Sequence, residues 1–372
     1  MQVQNLALQR DKYKHLSDEE WRWFLQQVEG RERTADKLPT FAATEDWWYP
    51  VRLSCEQCSS ELTARYKASL VSGEKMVDLS AGYGVDTYFL SERFTHTDYV
   101  EQNEELCRIA AHNFAGKPIA IHHNTAEAFL ASAGLYDLIY LDPARRDSHG
   151  GKVFRLEDCS PNVVDLLPTL LSHLRSNGRL MLKLSPMLDL TQAIQALPSV
   201  QWDIHIVAVK NEVKEVLLIN GGKGTVTAID LAKKEQAFIF SREEERQAVY
   251  NLSPSAFHYL YEPNAAILKA GAYKLVAERY GLAKLDINTH LYSSETLVES
   301  FPGRIWEILP DSIEKGRQAN ILTRNYPLTP EQLKKKLHLR DGGTAFVIGC
   351  RVNGKPTLFY AERVYSASTN RT

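Results

Sequence analysis

Met76-Val77-Asp78-Leu79-Ser80-Ala81-Gly82-Tyr83-Gly84-Val85-Asp86 decides the fold. An apolar strand delivers the chain into a run of small residues and then into a helix. Such a turn lets backbone approach a nucleotide-like ligand where side chains would collide. The third glycine of a dinucleotide fingerprint is missing, because its position, counted from Gly82 and Gly84, is Thr87. Asp78, still on the strand, would repel phosphate oxygens. The ligand at that point is therefore expected to be cationic or neutral rather than a pyrophosphate.

Working outward, apolar runs at 76–79, 97–101, 118–122, 137–141 and 179–184 alternate with segments long enough for crossover helices, the pattern of a parallel sheet covered on both faces. Trp202 to Val209 and Glu215 to Asn220 are close enough to pair antiparallel. Glu101 closes the second run, where an acid can accept both hydroxyls of a ribose. The acidic strand, the small-residue turn and the second acid together describe a site for S-adenosylmethionine, whose sulfonium and ammonium suit Asp78 and whose ribose suits Glu101. Ser80, Gly82, Gly84 and Gln102 are the neighbouring candidates, with Asp142 at the end of the fourth run beside them. In the third loop Thr125, with Ala126, stands where an adenine amino group would be met. A nicotinamide oxidoreductase is the rival, and it has to overcome Asp78 and Thr87.

Tyr136-Asp-Leu-Ile-Tyr-Leu-Asp-Pro-Ala-Arg145 resembles the Asp/Asn-Pro-Pro-aromatic motif ending the fourth strand of methyltransferases that act on nitrogens of nucleic-acid bases. That resemblance implies that Asp142 and the Pro143 carbonyl accept hydrogen bonds from the acceptor base and present its lone pair to the methyl group. Ala144 and Arg145 depart from the motif, and an Arg plane can stack on a base or hold a phosphate. Arg145, Arg146, Lys183 and Ser185-Pro186 are candidate substrate contacts, with solvated charge as the alternative. Cys107 and Cys159 lie away from the strand-end loops, so covalent catalysis is not expected.

The chain has 372 residues, 44% hydrophobic and 24% charged, which suits a globular protein of more than one unit. No run approaches 18 apolar residues and the start lacks the character of a signal peptide, so a cytoplasmic protein without a membrane partner is expected. Five cysteines argue for reduced thiols. The pair Cys55 and Cys58 lacks two further ligands at zinc spacing, so no metal is expected. Ser17-Asp-Glu-Glu20 reads as a capping box, and Trp47-Trp48-Tyr49-Pro50 as an arm wrapping the next domain. One helix is read near Ala265–Arg279, another over Pro330–Leu337, and a hairpin turned at Asn353-Gly354.

Further marks are Glu56-Gln-Cys-Ser-Ser-Glu61, Thr63-Ala-Arg-Tyr-Lys67, Tyr261-Glu-Pro-Asn264, Phe301-Pro-Gly303 and Arg324-Asn-Tyr-Pro-Leu328. With the Asp78 loop and Leu141-Asp-Pro-Ala-Arg145, they make the chain resemble a bacterial family of class I methyltransferases with ferredoxin-like and THUMP-like C-terminal domains. The resemblance implies an α/β fold: a Rossmann-like sheet, an N-terminal helical arm and a small α+β THUMP-like domain. The corresponding divisions are 1–55, 56–222, 223–280, 281–322 and 323–372. It also implies RNA, structured rRNA or tRNA, as partner. Net charge is −2, yet residues 323–372 hold nine Lys/Arg against three acids, leaving +6 there and −8 elsewhere. Lys334, Lys335 and Lys336 could track a phosphate backbone. A small-molecule or protein methyltransferase and a non-catalytic RNA-binding protein of the same fold are the competing readings.

Overall fold

The computed structural model describes residues 6, 10–145, 155–198, 200–232, 237–310 and 316–365. They form two compact units, Met1–Ile204 with Glu215–Lys223, and His205–Lys214 with Gly224–Thr372.

In the first unit β1 (Gly73–Asp78), β2 (Phe94–Glu101), β3 (Ile119–His123), β4 (Tyr136–Leu141) and the long strand Leu174–Leu184 run parallel in the order β3-β2-β1-β4 and then that strand. Two short strands, β5 (Ala144–Arg145) and β6 (Cys159–Ser160), pair with each other after β4, which makes the long strand β7. The order reverses at β1, so ligand-binding loops are expected at the carboxyl ends around it. The helices after β2, β3, β6 and β7 each start on a side-chain cap: Asn103 accepts from the Leu106 N–H, Thr125 from Ala128, Asn162 from Val164 and Asp165, and Asp189 from Gln192. The hairpin β8 (Trp202–Val209) and β9 (Glu212–Asn220) turns on Lys210 and Asn211, both at positive φ, and β9 lies antiparallel to β7. Its residues are divided between the two units.

The N-terminal arm belongs to this core. Ser17 and Glu20 form the capping box of the helix Asp18–Thr34. Beyond it Phe41 stacks on Trp47 at 4.1 Å between ring centroids and lies 5.9 Å from Phe89, so the arm's aromatic rings complete the apolar cluster behind β1 and β2. Cys55 and Cys58 are free thiols pushed upward by burial, Cys55 to about 12. Cys107 and Cys350 are likewise buried and raised, to about 11 and about 12. Among the described residues no group of three or more His, Cys, Asp or Glu could hold a metal ion, and no helix is long and apolar enough to cross a membrane.

In the second unit β10 (Thr225–Asp230) pairs antiparallel with β11 (Phe238–Ser241). A separate sheet collects β12 (Asn251–Leu252), β13 (Tyr259–Pro263), β14 (Ala283–Asp286), β15 (Thr289–Ser294), β16 (Gly303–Ile308), β17 (Asn320–Arg324), β18 (Ala345–Val352) and β19 (Lys355–Val364), in the order β12-β14-β15-β13-β16-β19-β18-β17. The β18–β19 turn has Asn353 at φ 49° and Gly354 at φ 81°, the left-handed pair that its Asn-Gly sequence predicts. Where the sequence suggests one helix from Ala265, the chain forms two, Ala265–Ala270 and Leu275–Tyr280, because Gly271 at φ 80° ends the first. The helix Pro330–Leu337 buries Leu333 against Ala319, Leu339 and Val347.

Candidate active site

The turn after β1 rests on two glycines that do different work. Gly84, at φ 80°, caps the helix Val85–Ser91, and a Cβ on it would come within 2.6 Å of the Phe114 ring; close packing demands it. Gly82, at φ 55°, would meet nothing nearer than the Ser80 carbonyl at 3.9 Å, so it leaves a bare backbone facing open space. Both polar groups of Gly82 are tied back to β2: its N–H donates to Glu101 Oε2 at 2.9 Å, and its carbonyl accepts from the Tyr99 hydroxyl at 2.6 Å.

Asp78 lies inside this turn, 1% exposed. It accepts from the Thr87 hydroxyl at 2.7 Å and the Ser80 N–H at 3.1 Å. Thr87, in the place of the absent third glycine, therefore closes the loop onto the strand. Burial pushes the Asp78 carboxyl up to about 7 against the effect of both hydrogen bonds, so its negative charge is only partly present near neutrality. Glu101 stays half-buried at the end of β2, with Oε1 accepting from the Asn103 N–H at 2.8 Å. Gln102 is exposed beside it and its carbonyl meets His123 at 3.0 Å. The Thr125 hydroxyl accepts from the Ala128 N–H at 3.2 Å and stays exposed, while Ala126 is buried.

Asp142 follows β4 directly, and its N–H donates to Ser80 Oγ at 2.6 Å, which joins the fourth loop to the first. Its carboxylate accepts from Lys183 of β7 while its side chain keeps 38% exposure. Burial alone would lower the Lys183 ammonium, but Asp142, Asp86 and Glu215 outweigh it and raise its pKa above the ordinary value. Pro143 is half-buried, and the next two residues are pinned by backbone pairing, Ala144 with Ser160 and Arg145 with Cys159. Ser185 is half-buried just past β7. Arg146 lies outside the described residues. The structure thus brings Asp78, Ser80, Gly82, Glu101, Asp142 and Lys183 to the carboxyl edge of one sheet. Lys334, Lys335 and Lys336 lie in the other unit, on the helix Pro330–Leu337, where Lys334 pairs with Asp341.

A buried charge cluster below this edge escapes sequence reading. Lys67, 0% exposed, lies 2.7 Å from Glu215 and 3.2 Å from Asp86. Asp86 also accepts from Ser59 at 2.8 Å and from the Tyr140 hydroxyl at 2.6 Å. Burial works against its charge, yet Lys67 and Lys183 hold Asp86 below the ordinary carboxylate range, whereas burial leaves Glu215 raised. Only position in the quoted motif could have marked Asp86, and nothing in the sequence pairs Lys67 with Glu215.

Comparison with known proteins agrees with this geometry. A ferredoxin-like domain family matches residues 259–302 and a THUMP domain-like family residues 311–363. An uncharacterized S-adenosylmethionine-dependent methyltransferase of Mycobacterium tuberculosis, found in strains CDC 1551 and H37Rv, is 22% identical over 349 residues, covering 89% of this chain and 92% of its own. The crystal structure of a "putative methyltransferase" from Porphyromonas gingivalis W83 superimposes with a TM-score of 0.83 at 32% identity, covering 94% of this chain and 92% of that one. Sheet order, strand-end site and these relatives together place the chain in the family of class I S-adenosylmethionine-dependent methyltransferases that carry ferredoxin-like and THUMP-like C-terminal domains.

Proposed function

We propose that this methyltransferase modifies a base nitrogen of RNA, rRNA or tRNA, with Asp142 and the Pro143 carbonyl orienting the acceptor. The observation that carries the reading is the hydrogen bond from the Asp142 N–H to Ser80 Oγ at 2.6 Å, which sets the acceptor loop directly against the cofactor loop. The residues fit S-adenosylmethionine: Gly82 offers an open, uncluttered backbone, and the Glu101 carboxylate stands half-buried beside it for the ribose hydroxyls. Ser80, Gly84, Gln102, Thr125 and Ala126 would complete the rim. When bound, the cofactor supplies a methyl group on a sulfonium centre.

The chain's own residues then do the orienting. Lys183 holds the Asp142 carboxylate in place, and its exposed part accepts an N–H of the base. The Pro143 carbonyl accepts a second, leaving the nitrogen lone pair aligned for in-line transfer. Arg145, Arg146 and Ser185 are proposed to meet the rest of the nucleotide. The match to a THUMP domain-like family supports RNA, with Lys334, Lys335 and Lys336 as phosphate contacts. Five free thiols support a reducing compartment, the cytoplasm.

Nucleoside mass analysis of total RNA from a strain lacking the protein, set against the parent strain, is the test. One methylated nucleoside should disappear and return when the purified protein and S-adenosylmethionine are added. Unchanged RNA, with the cofactor still bound in calorimetry, would move the assignment to a small-molecule or protein acceptor. Tight binding of a nicotinamide dinucleotide instead would end it.

A further inference from the structure

Tyr83 stands between the two glycines of the turn, and its side chain does not face the open space in front of Gly82. It runs back into the core, 5% exposed, where its hydroxyl accepts from Trp47 Nε1 at 2.8 Å and donates to the Trp48 carbonyl at 3.2 Å. Trp47 is itself fixed by its stack on Phe41. Trp48 makes a second hold: its N–H donates to Asn113 Oδ1 at 2.8 Å and its carbonyl accepts from Asn113 Nδ2 at 2.9 Å. Asn113 ends the helix Glu104–Asn113, which begins just past Glu101. Consecutive arm residues therefore grip the glycine turn on one side and the helix behind Glu101 on the other.

We infer that Trp47 and Trp48 of the N-terminal arm are positioning residues of the cofactor site, acting through the Tyr83 hydroxyl to hold the glycine turn in its binding conformation. This rests on the reading that the Gly82 turn receives S-adenosylmethionine. Its physical basis is preorganisation. The backbone of the turn is held by the Gly82 N–H on Glu101, the Gly82 carbonyl under the Tyr99 hydroxyl, the Ala81 N–H on the Val100 carbonyl at 3.1 Å and the Gly84 N–H on the Ala81 carbonyl at 2.7 Å, all of them ties to the sheet or within the turn itself. The Tyr83 hydroxyl ties the turn to the arm as well, through a side chain that runs back into the core. The bond also satisfies two buried polar atoms, so a purely structural role would show in the melting temperature alone and a positioning role in cofactor affinity as well.

Tyr83→Phe keeps the ring volume and Trp47→Phe keeps an aromatic ring of smaller size, and the two remove opposite ends of that bond. Calorimetry with S-adenosylhomocysteine, alongside thermal melts, reads the effect. Each variant should bind about tenfold more weakly, equivalent to ~1.4 kcal/mol. The double variant should bind no worse than Tyr83→Phe alone, since that change already removes the bond to Trp47 together with the one to the Trp48 carbonyl. Either variant, folded and binding like the wild type, would overturn the inference, as would a double variant with the two losses added. If one variant fails to fold, the other removes the same bond and decides. A wild-type protein that gives no heat with S-adenosylhomocysteine would instead remove the cofactor assignment, and this inference with it.

Discussion

Asp78 keeps its proton to about pH 7 in the folded chain, whereas an ordinary aspartic carboxyl, at 3.8, loses it far earlier. Between these values the unfolded chain binds fewer protons than the folded one, so this residue's contribution to stability falls as pH rises through the window and is constant above it. Asp78→Asn imitates the protonated acid: its amide oxygen can accept from the Ser80 N–H while its amide N–H donates to the Thr87 hydroxyl. Its urea midpoint should gain on the wild type's from about pH 4 to 7 and hold that gain above. Parallel curves for the two proteins would show that the carboxyl titrates normally. Asp142 calls for a different measurement. Asp142→Ala should leave cofactor affinity intact and reduce methyl transfer at least about a hundredfold, since a misplaced acceptor is enough for that loss. It should also lower the melting temperature, because it strips Lys183 of its carboxylate. Normal turnover by this variant would refute the acceptor assignment.

At the level of elements, the helix Glu61–Ser69 is fastened to β9 and to the helix Val85–Ser91 by Lys67, through Glu215 and Asp86. Lys67→Met should destabilise the protein by about 3–5 kcal/mol, as buried Glu215 loses its paired cation and Asp86 one of its two. Adding Glu215→Gln should recover part of the loss in chemical denaturation; additive penalties would mean the groups do not act as a pair. None of this is legible in the sequence, where a lysine in Thr63-Ala-Arg-Tyr-Lys67 looks solvated and its partner lies 148 residues away. The parallel strands, by contrast, announce themselves through their apolar runs, and the glycine turn through its small residues. What local pattern misses is context. β7 begins at Leu174, five residues before its apolar run, because Gly178 lets the strand pass the Tyr136 carbonyl, 2.6 Å from where a Cβ would sit. Thr87 reads as a missing glycine until its hydroxyl is seen on Asp78.

Across the whole molecule, charge is partitioned: the last fifty residues carry +6 on a chain whose total is −2. If Lys335 and Lys336, both exposed, meet RNA phosphates, the double change to alanine should weaken binding and reduce the slope of log affinity against log salt by roughly 1.5. Filter binding across salt measures it, and an unchanged slope would take these lysines off the RNA path. Lys334 should matter less, since Asp341 already neutralises it. The five thiols bear on how such binding can be watched. Four are buried, Cys58 is half-buried, and burial keeps Cys55, Cys58, Cys107 and Cys350 protonated, so none is suited to fast alkylation. A maleimide dye offered to a Lys336→Cys variant should therefore settle on the basic helix, giving a fluorescent reporter of nucleic-acid docking with every native cysteine left in place.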